Sequence, residues 1–285
     1  MTTPADRFAA QIRAIQASID RLPDPVVRDV LRGLDALRRQ VLAQIAGLDP
    51  GFARLRLRDF EANLRDLMAR YTAFYGDAVA PAQAAIYEAG TALAAAPAVQ
   101  AGLVFHVPVL SRRQLEVAQA FQASLISGLT TAAVGAISQE LQLGLLRGDD
   151  VARIAQRVAG SLTGPSTFGT LATRAEGITR TELGRIQAIA TQASLEETQR
   201  FVPDMQKQWR HSGNAGPNRR LGHVEANDQV RDVTERFRVR PQPDRPYESL
   251  LYPRDPAASA ASTVFCGCVA LPYRAAWAPG LQEAA

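Results

Sequence analysis

Cysteine is almost absent from this chain. Two occur in 285 residues, and both fall in Cys266-Gly267-Cys268 near the C-terminal end. So small a number excludes the disulfide-stapled secreted class and fits a reducing cytoplasm. Histidine is equally scarce, and two of the three, His211 and His223, share the same C-terminal stretch. Aromatics make up 6% of the chain, which argues against a large sandwich core. The hydrophobic fraction of 47%, much of it alanine, excludes global disorder and favours closely spaced helices. Net charge is +4 and is carried almost wholly by arginine. This mild excess permits contact with nucleic acid or an acidic protein surface and demands neither. No basic region followed by an apolar one opens the sequence, so no secretory leader is expected. There is no phosphate-binding glycine loop and no serine nucleophile elbow.

Charge is missing from two long stretches, 89–110 and 117–139. The first is interrupted by Pro97, His106 and Pro108, and the second carries Gln119, Gln122, Ser124, Thr130 and Ser138. Such polar residues point to buried helix and connector rather than lipid-facing span, so no membrane is expected.

What is present in the first two thirds is helical period. Phe8, Ile12, Ile15, Ile19 and Leu22 step by four and three, and Pro23-Asp24-Pro25 breaks the run. Val27, Val30, Leu34, Leu37, Val41 and Leu48 then follow an a/d spacing with Gln44 in the remaining slot. A third stripe begins at Phe60, Leu64, Leu67, Tyr71 and Phe74. These stripes suit antiparallel helices that pack on one another, or a coiled-coil arm that docks on a partner. An alanine-rich helix over 81–100 is expected to end at Pro97, with an apolar strand or connector over 103–110. Ser111 is placed to cap a further helix, Gly148 to end it, and an Asp of Asp149-Asp150 to cap the next. A Gly/Ser/Thr/Pro loop follows over 160–169, then a long helix over 172–199. Beyond Phe201-Val202-Pro203 the helix period stops, and short strands are expected at 205–210 and 233–239, with 264–271 bracketing the cysteines.

The fold class expected is α+β: a mainly α-helical N-terminal half with a small β-containing C-terminal domain. The divisions expected are a helical docking arm over 1–110, a helical lead-in over 111–200, an α+β domain over 201–275 and a tail over 276–285.

The C-terminal segment has an order of its own. It runs Arg180-Thr181-Glu182, Lys207-Gln208-Trp209, Arg220-Leu221-Gly222-His223, Asn227-Asp228-Gln229, Tyr252-Pro253-Arg254-Asp255-Pro256 and Phe265-Cys266-Gly267-Cys268. This order resembles the phage Mu F-like minor head protein family, also called phage head morphogenesis proteins. That family typically shows an Arg-Thr-Glu helix, a Lys-x-Trp strand, Arg-x-x-His, an Asn/Asp-Gly-Gln turn, a Tyr/Phe-Pro-x-Asp-Pro loop and a closing Asn-Cys-Arg-Cys. The present chain departs in lacking the turn glycine and in replacing the closing Asn and Arg. The stretch 142–148 and the helix after it also look like the family's approach to this domain, so the likeness covers roughly the second half. Carried over residue by residue, the motif positions are Arg180, Glu182, Trp209, Arg220, His223, Asp228, Pro253, Asp255, Cys266 and Cys268. The resemblance implies a structural, non-enzymatic protein of a tailed phage, prophage or gene-transfer particle, which takes part in head morphogenesis and DNA packaging or delivery. It implies the portal protein as partner, with the major capsid protein and packaged DNA nearby. It also implies a place in the capsid interior, after assembly in the host cytoplasm.

Read for chemistry alone, His211, His223, Cys266 and Cys268 could hold a structural zinc in tetrahedral N/S coordination. The alternative is two buried thiols packing as small hydrophobes beside a hydrogen-bonded His223. His223-Val224-Glu225 followed by two cysteines is also similar to the zinc deaminase signature, with the cysteines one residue too close and the proline missing. That pattern would make the protein a zinc-dependent hydrolase or deaminase acting on nucleic acid or peptide. Arg180, Glu182, Arg219, Arg220, Asp228, Asp232 and Asp255 are candidates for an internal ion-pair network.

Overall fold

Thr3 caps the first helix reciprocally. Its Oγ1 accepts the Asp6 N–H at 3.1 Å while Asp6 Oδ2 accepts the Thr3 N–H at 2.8 Å. The helix, α1, spans Pro4–Asp20 in the computed structural model, which describes residues 2–47, 57–104, 112–163, 171–211 and 220–277. Five long helices follow: α2 Pro23–Ala46, α3 Leu57–Gln100, α4 Arg113–Arg147, α5 Val151–Thr163 and α6 Leu171–Gln199. Short elements then alternate: β1 Gln206–Arg210, α7 Leu221–Glu225, β2 Val230–Asp232, β3 Phe237–Val239, β4 Glu248–Leu250, α8 Ala260–Thr263 and β5 Val269–Tyr273. The protein is α+β, 71% helical, with its antiparallel strands in small sheets mainly in the C-terminal part.

Several boundaries differ from those expected. α3 does not end at Pro97 but runs to Gln100, because the buried stripe Ile86, Leu93, Ala94 and Ala98 continues past the proline. Packing thus outweighs the lost N–H. The helix stops at Gly102, whose φ of +97° suits glycine. α4 ends as anticipated at Gly148, φ +70°, and Asp150 Oδ1 accepts the Arg153 N–H at 2.7 Å to cap α5. α5 passes through Gly160 to Thr163 before the expected loop, the rest of which lies outside the described residues. Ser111 and the connector over 105–110 also lie outside them, as do Leu48 and Arg219.

The chain forms two compact units, Met1–Pro23 with Ala82–Ala118 and Arg180–Ala285, and Asp24–Pro81 with Gln119–Thr179. The change of composition near residue 200 therefore falls inside one unit. In the all-helical unit, Val30, Leu34, Leu37, Val41 and Ile45 of α2 are buried, together with Leu64, Tyr75, Ile126 and Leu141. Ile45 replaces Gln44 in the stripe because a 3.6-residue period, not a strict heptad, governs the buried face. α4 is long and apolar enough by length and composition to cross a membrane. Two of its polar residues are engaged within this unit: Gln122 Nε2 donates to Tyr75 Oη at 2.6 Å, and Thr130 Oγ1 lies 3.3 Å from Thr72 Oγ1.

The other unit buries Phe8 and Ile12 of α1, Leu93 and Ala98 of α3, and Leu195 of α6 with Val202, Met205, Val233 and Trp277. Its three-stranded sheet has the order β2-β1-β5, all antiparallel, with Trp209 opposite Ala270 and Lys207 opposite both Arg231 and Pro272. β1 is the central strand, so Lys207, Gln208 and Trp209 are all buried although they alternate in direction. β3 and β4 form a separate hairpin. Trp209, Ala226, Phe237, Val239, Leu250, Cys266, Cys268 and Ala270 make a second small core.

Candidate metal centre

α7 brings His223 to the second core, and a glycine lets it do so. A Cβ on Gly222 would lie 2.0 Å from the carbonyl oxygen of Arg240, so only glycine lets this turn seat so closely. Arg220, at the N-cap of α7, donates to the carbonyls of Ala261 and Val264, which ties α7 to the end of α8. The imidazole then sits edge-on to Trp209, ring centroids 5.6 Å apart, and Trp209 in turn meets Phe237 at 5.3 Å.

The cysteines reach the same place from α8. Phe265 takes a left-handed conformation, φ +57°, and its N–H donates to Thr181 Oγ1 of α6 at 3.0 Å. Cys266 and Cys268, neither in a disulfide, stand with Sγ 3.5 and 3.6 Å from His223 Nδ1. The three ligand atoms all lie within 4.8 Å of one another, and the residues are only 1%, 4% and 2% exposed. A hydrogen bond from Cys268, another from His223 and the charges of Arg254 and His223 hold the Cys266 thiol well below its ordinary range, against the opposing effect of burial. His223 Nε2 is buried without a hydrogen-bond partner among the described residues. Two soft sulfurs, one of them thiolate-prone, and one imidazole form a group that could hold a metal ion.

A polar frame surrounds this group. Glu182 accepts two hydrogen bonds from Arg185 at 2.8 and 2.7 Å, and burial raises its pKa against the pull of Arg185 and Arg254. Arg185 Nε donates to the Arg254 carbonyl at 3.1 Å, and Arg254 Nη1 donates to the carbonyls of Gly184 at 3.1 Å and Cys268 at 3.2 Å. Next to it, Asp255 is buried and accepts from Arg236 at 3.0 Å, Leu251 N at 2.8 Å and Ala257 N at 2.9 Å. Pro253 is buried in the same loop. Asp228 occupies the turn where the resemblance expects glycine: it has φ +64°, a region Asp tolerates, and pairs with Arg210. The turn closes with Asp228 N–H to Trp209 O and Trp209 N–H to Gln229 O, both 2.9 Å.

His211 is a correction. The tetrad expected from the sequence becomes a triad, because His211 follows the last residue of β1 and does not join the cysteines. Its backbone N–H donates to Asn227 Oδ1 at 2.9 Å, and the residue lines a neighbouring cavity. Arg180 lines that cavity too. In the ion-pair network, Glu182 pairs with Arg185 and Asp255 with Arg236, whereas Asp232 accepts from Thr234 and Gln199. Arg185 was legible as an i,i+3 partner of Glu182 on one helix. Arg254 carried no comparable signal, since its role depends on a positive φ of 64°.

Lys207, the sole lysine of the sequence, is fully buried in the same unit. Its Nζ donates to Leu251 O at 2.7 Å and Gln192 Oε1 at 3.1 Å and lies 5.2 Å from the Phe237 centroid. Burial pulls its pKa down to about 8.

Among known proteins, the chain is similar to the uncharacterized protein YqbB of Bacillus subtilis (strain 168), with 30% identity over 92 residues. The match spans 32% of this chain and 29% of that protein. No family model matches the chain, and no solved structure does.

Proposed function

We propose that the protein is a structural minor head protein of a tailed phage, prophage or gene-transfer particle, associated with the portal. One observation carries the reading. Motif residues spread over 180–268 turn inward on one another: Trp209 meets His223, His223 faces Cys266 and Cys268, and Thr181 holds Phe265. Residues conscripted into such a frame stabilise a module; the apolar side chains left for partners are exposed ones on the long helices, such as Phe74, Val117 and Leu146. Co-expression with the portal protein of the same element, followed by affinity capture, tests it. Co-purification, and presence of the chain in assembled particles, are expected. A chain that stays unassociated with portal and particle would defeat the reading.

We further infer that the triad holds a structural zinc. Bonds of about 2.3 Å to sulfur and about 2.0 Å to nitrogen at a tetrahedral angle place S and N about 3.5 Å apart. The observed separations of 3.5 and 3.6 Å fit. Zinc bound there would tie α7 to the Cys-x-Cys turn. Metal content of the purified protein measures this directly; one zinc per chain is expected.

One observation favours the rival reading of a zinc hydrolase or deaminase: three protein ligands are the number a catalytic zinc takes. Against it, Glu225, the residue that would move the proton, pairs with Arg240 at 2.8 Å, and the triad is buried. Glu225→Gln should therefore leave assembly and infectivity unchanged and cost at most about 1 kcal/mol. Loss of infectivity in a normally assembled Glu225→Gln particle would favour the enzyme.

A further inference from the structure

Within the unit that carries the strands, α1, α3, α6, the end of β1, the 251–256 loop and β5 enclose a cavity of about 540 Å³. Four arginines line it, Arg13, Arg180, Arg210 and Arg254, against one carboxylate, Asp20. That carboxylate is engaged, since its Oδ1 accepts from Gln16 Nε2 at 2.7 Å, and Gln16 accepts from Gln187 at 2.8 Å. Arg210 is offset by Asp228 from outside the cavity lining, and Arg180 is partnered too, so the surplus charge rests on Arg13 and Arg254. Arg254 is the most constrained of the four. It is 7% exposed, with Nη1 satisfied by two carbonyls and Nε buried without a hydrogen-bond partner among the described residues. Gly184 makes room for it, because a Cβ there would lie 2.3 Å from the guanidinium carbon. Between the cations the wall is aliphatic, with Ile12, Ile86, Leu183, Val269 and Leu271.

We propose that this cavity binds a carboxylate carried on an aliphatic body, presented by an acidic, leucine-rich segment of a partner protein. The excess of guanidinium selects an anion, and its planar fork matches a carboxylate. The aliphatic wall rewards branched apolar neighbours of that carboxylate by removing them from water. Among the described residues no Phe, Tyr or Trp lines the cavity and His211 is its single aromatic ring, so a nucleobase would find a poor stacking platform and nucleic acid would depend mainly on the charge. The volume lies in the range of ordinary ligand pockets. The inference stands independently of the head-protein reading.

The test uses the full chain and a fluorescently labelled short peptide alternating glutamate and leucine, followed by anisotropy. Two variants probe the wall from exposed positions of α1: Arg13→Glu reverses one charge, and Ala17→Trp fills space without removing any charge. Saturable binding is expected, weakened at least about tenfold by each variant with unchanged melting temperature. A peptide alternating lysine and leucine should not bind. Failure of the acidic peptide to bind, or wild-type affinity in either variant, would overturn the proposal. Displacement of the peptide by oligothymidylate would reassign the cavity to nucleic acid, and displacement by free octanoate at similar concentration would reassign it to a small amphiphile; either result overturns the peptide assignment.

Discussion

Along α2, buried residues from Val27 to Ile45 recur every three or four positions, and every one is aliphatic. Around His223, by contrast, the buried set includes Lys207, Glu182, Arg185, Arg254 and Asp255, and few of its members share a periodic element. The difference lies in how much apolar area each region can bury. Long helices supply continuous stripes, so burial alone orders them. Strands of three to five residues cannot, so that region closes its backbone with charge-assisted hydrogen bonds and a soft-ligand triad. The first arrangement tolerates change by small adjustments. The second is cooperative, because removing one partner leaves another buried and unsatisfied.

The largest expected effect tests the triad. Cys268→Ala should release the metal and unfold the strand-bearing elements, since binding of a structural zinc contributes about 10 kcal/mol or more to folding. Hydrogen exchange read with metal analysis measures both. A metal-free wild type, with Cys268→Ala costing only about 1–2 kcal/mol, would reduce the cluster to packing.

Leu64, fully buried in the helical unit, provides the contrast. Leu64→Ala should cost about 2–5 kcal/mol through its cavity, and the loss should be the same with and without chelator. Chelator dependence of that loss would erase the distinction between the regions.

Lys207 offers a pH test of the polar frame. Its folded pKa of about 8 lies below the ordinary 10.5. Between these values the unfolded chain holds a proton that the folded chain has released, so stability rises as pH increases from about 8 to 10.5. The shift corresponds to a rise of about 3 kcal/mol. Denaturant melts across that window should show the rise in the wild type, and Lys207→Met should lose it. An equal rise in both proteins would assign it to other groups.

Two glycines mark the smaller end. Gly222→Ala would drive a Cβ against the Arg240 backbone and should cost about 1–3 kcal/mol, with His223 displaced from the sulfurs. Gly33→Ala meets only the ring of Phe74, which is 42% exposed and free to swing outward. The gain in helix propensity of about 1 kcal/mol should leave that variant near neutral. Thermal melts of the pair would show whether backbone or side-chain contact sets the tolerance.

Much of the helical architecture was legible because amphipathic period reports directly on burial: Phe8 and Ile12 in α1, Val30 to Val41 in α2, Gly148 and Asp150 at the α4–α5 junction. The exceptions were local. A proline signal at Pro97 was outweighed by a buried stripe, and Gly160 sits inside a helix. In the site, the sequence singled out His223, Cys266 and Cys268 as candidate soft ligands, since they are among the few such residues present. It could not separate them from His211, because ligand choice depends on where a strand ends rather than on spacing.

Sequence by itself therefore determined the α+β class, the helical stripes and the inventory of metal-capable side chains, all properties of local period and composition. Tertiary structure alone decided that β1 is central and buries the only lysine, that Arg254 crosses against Gly184 to hold Cys268, and that four distant arginines share one cavity. These depend on contacts between residues far apart in the chain, set by the closure of loops whose geometry no local pattern encodes.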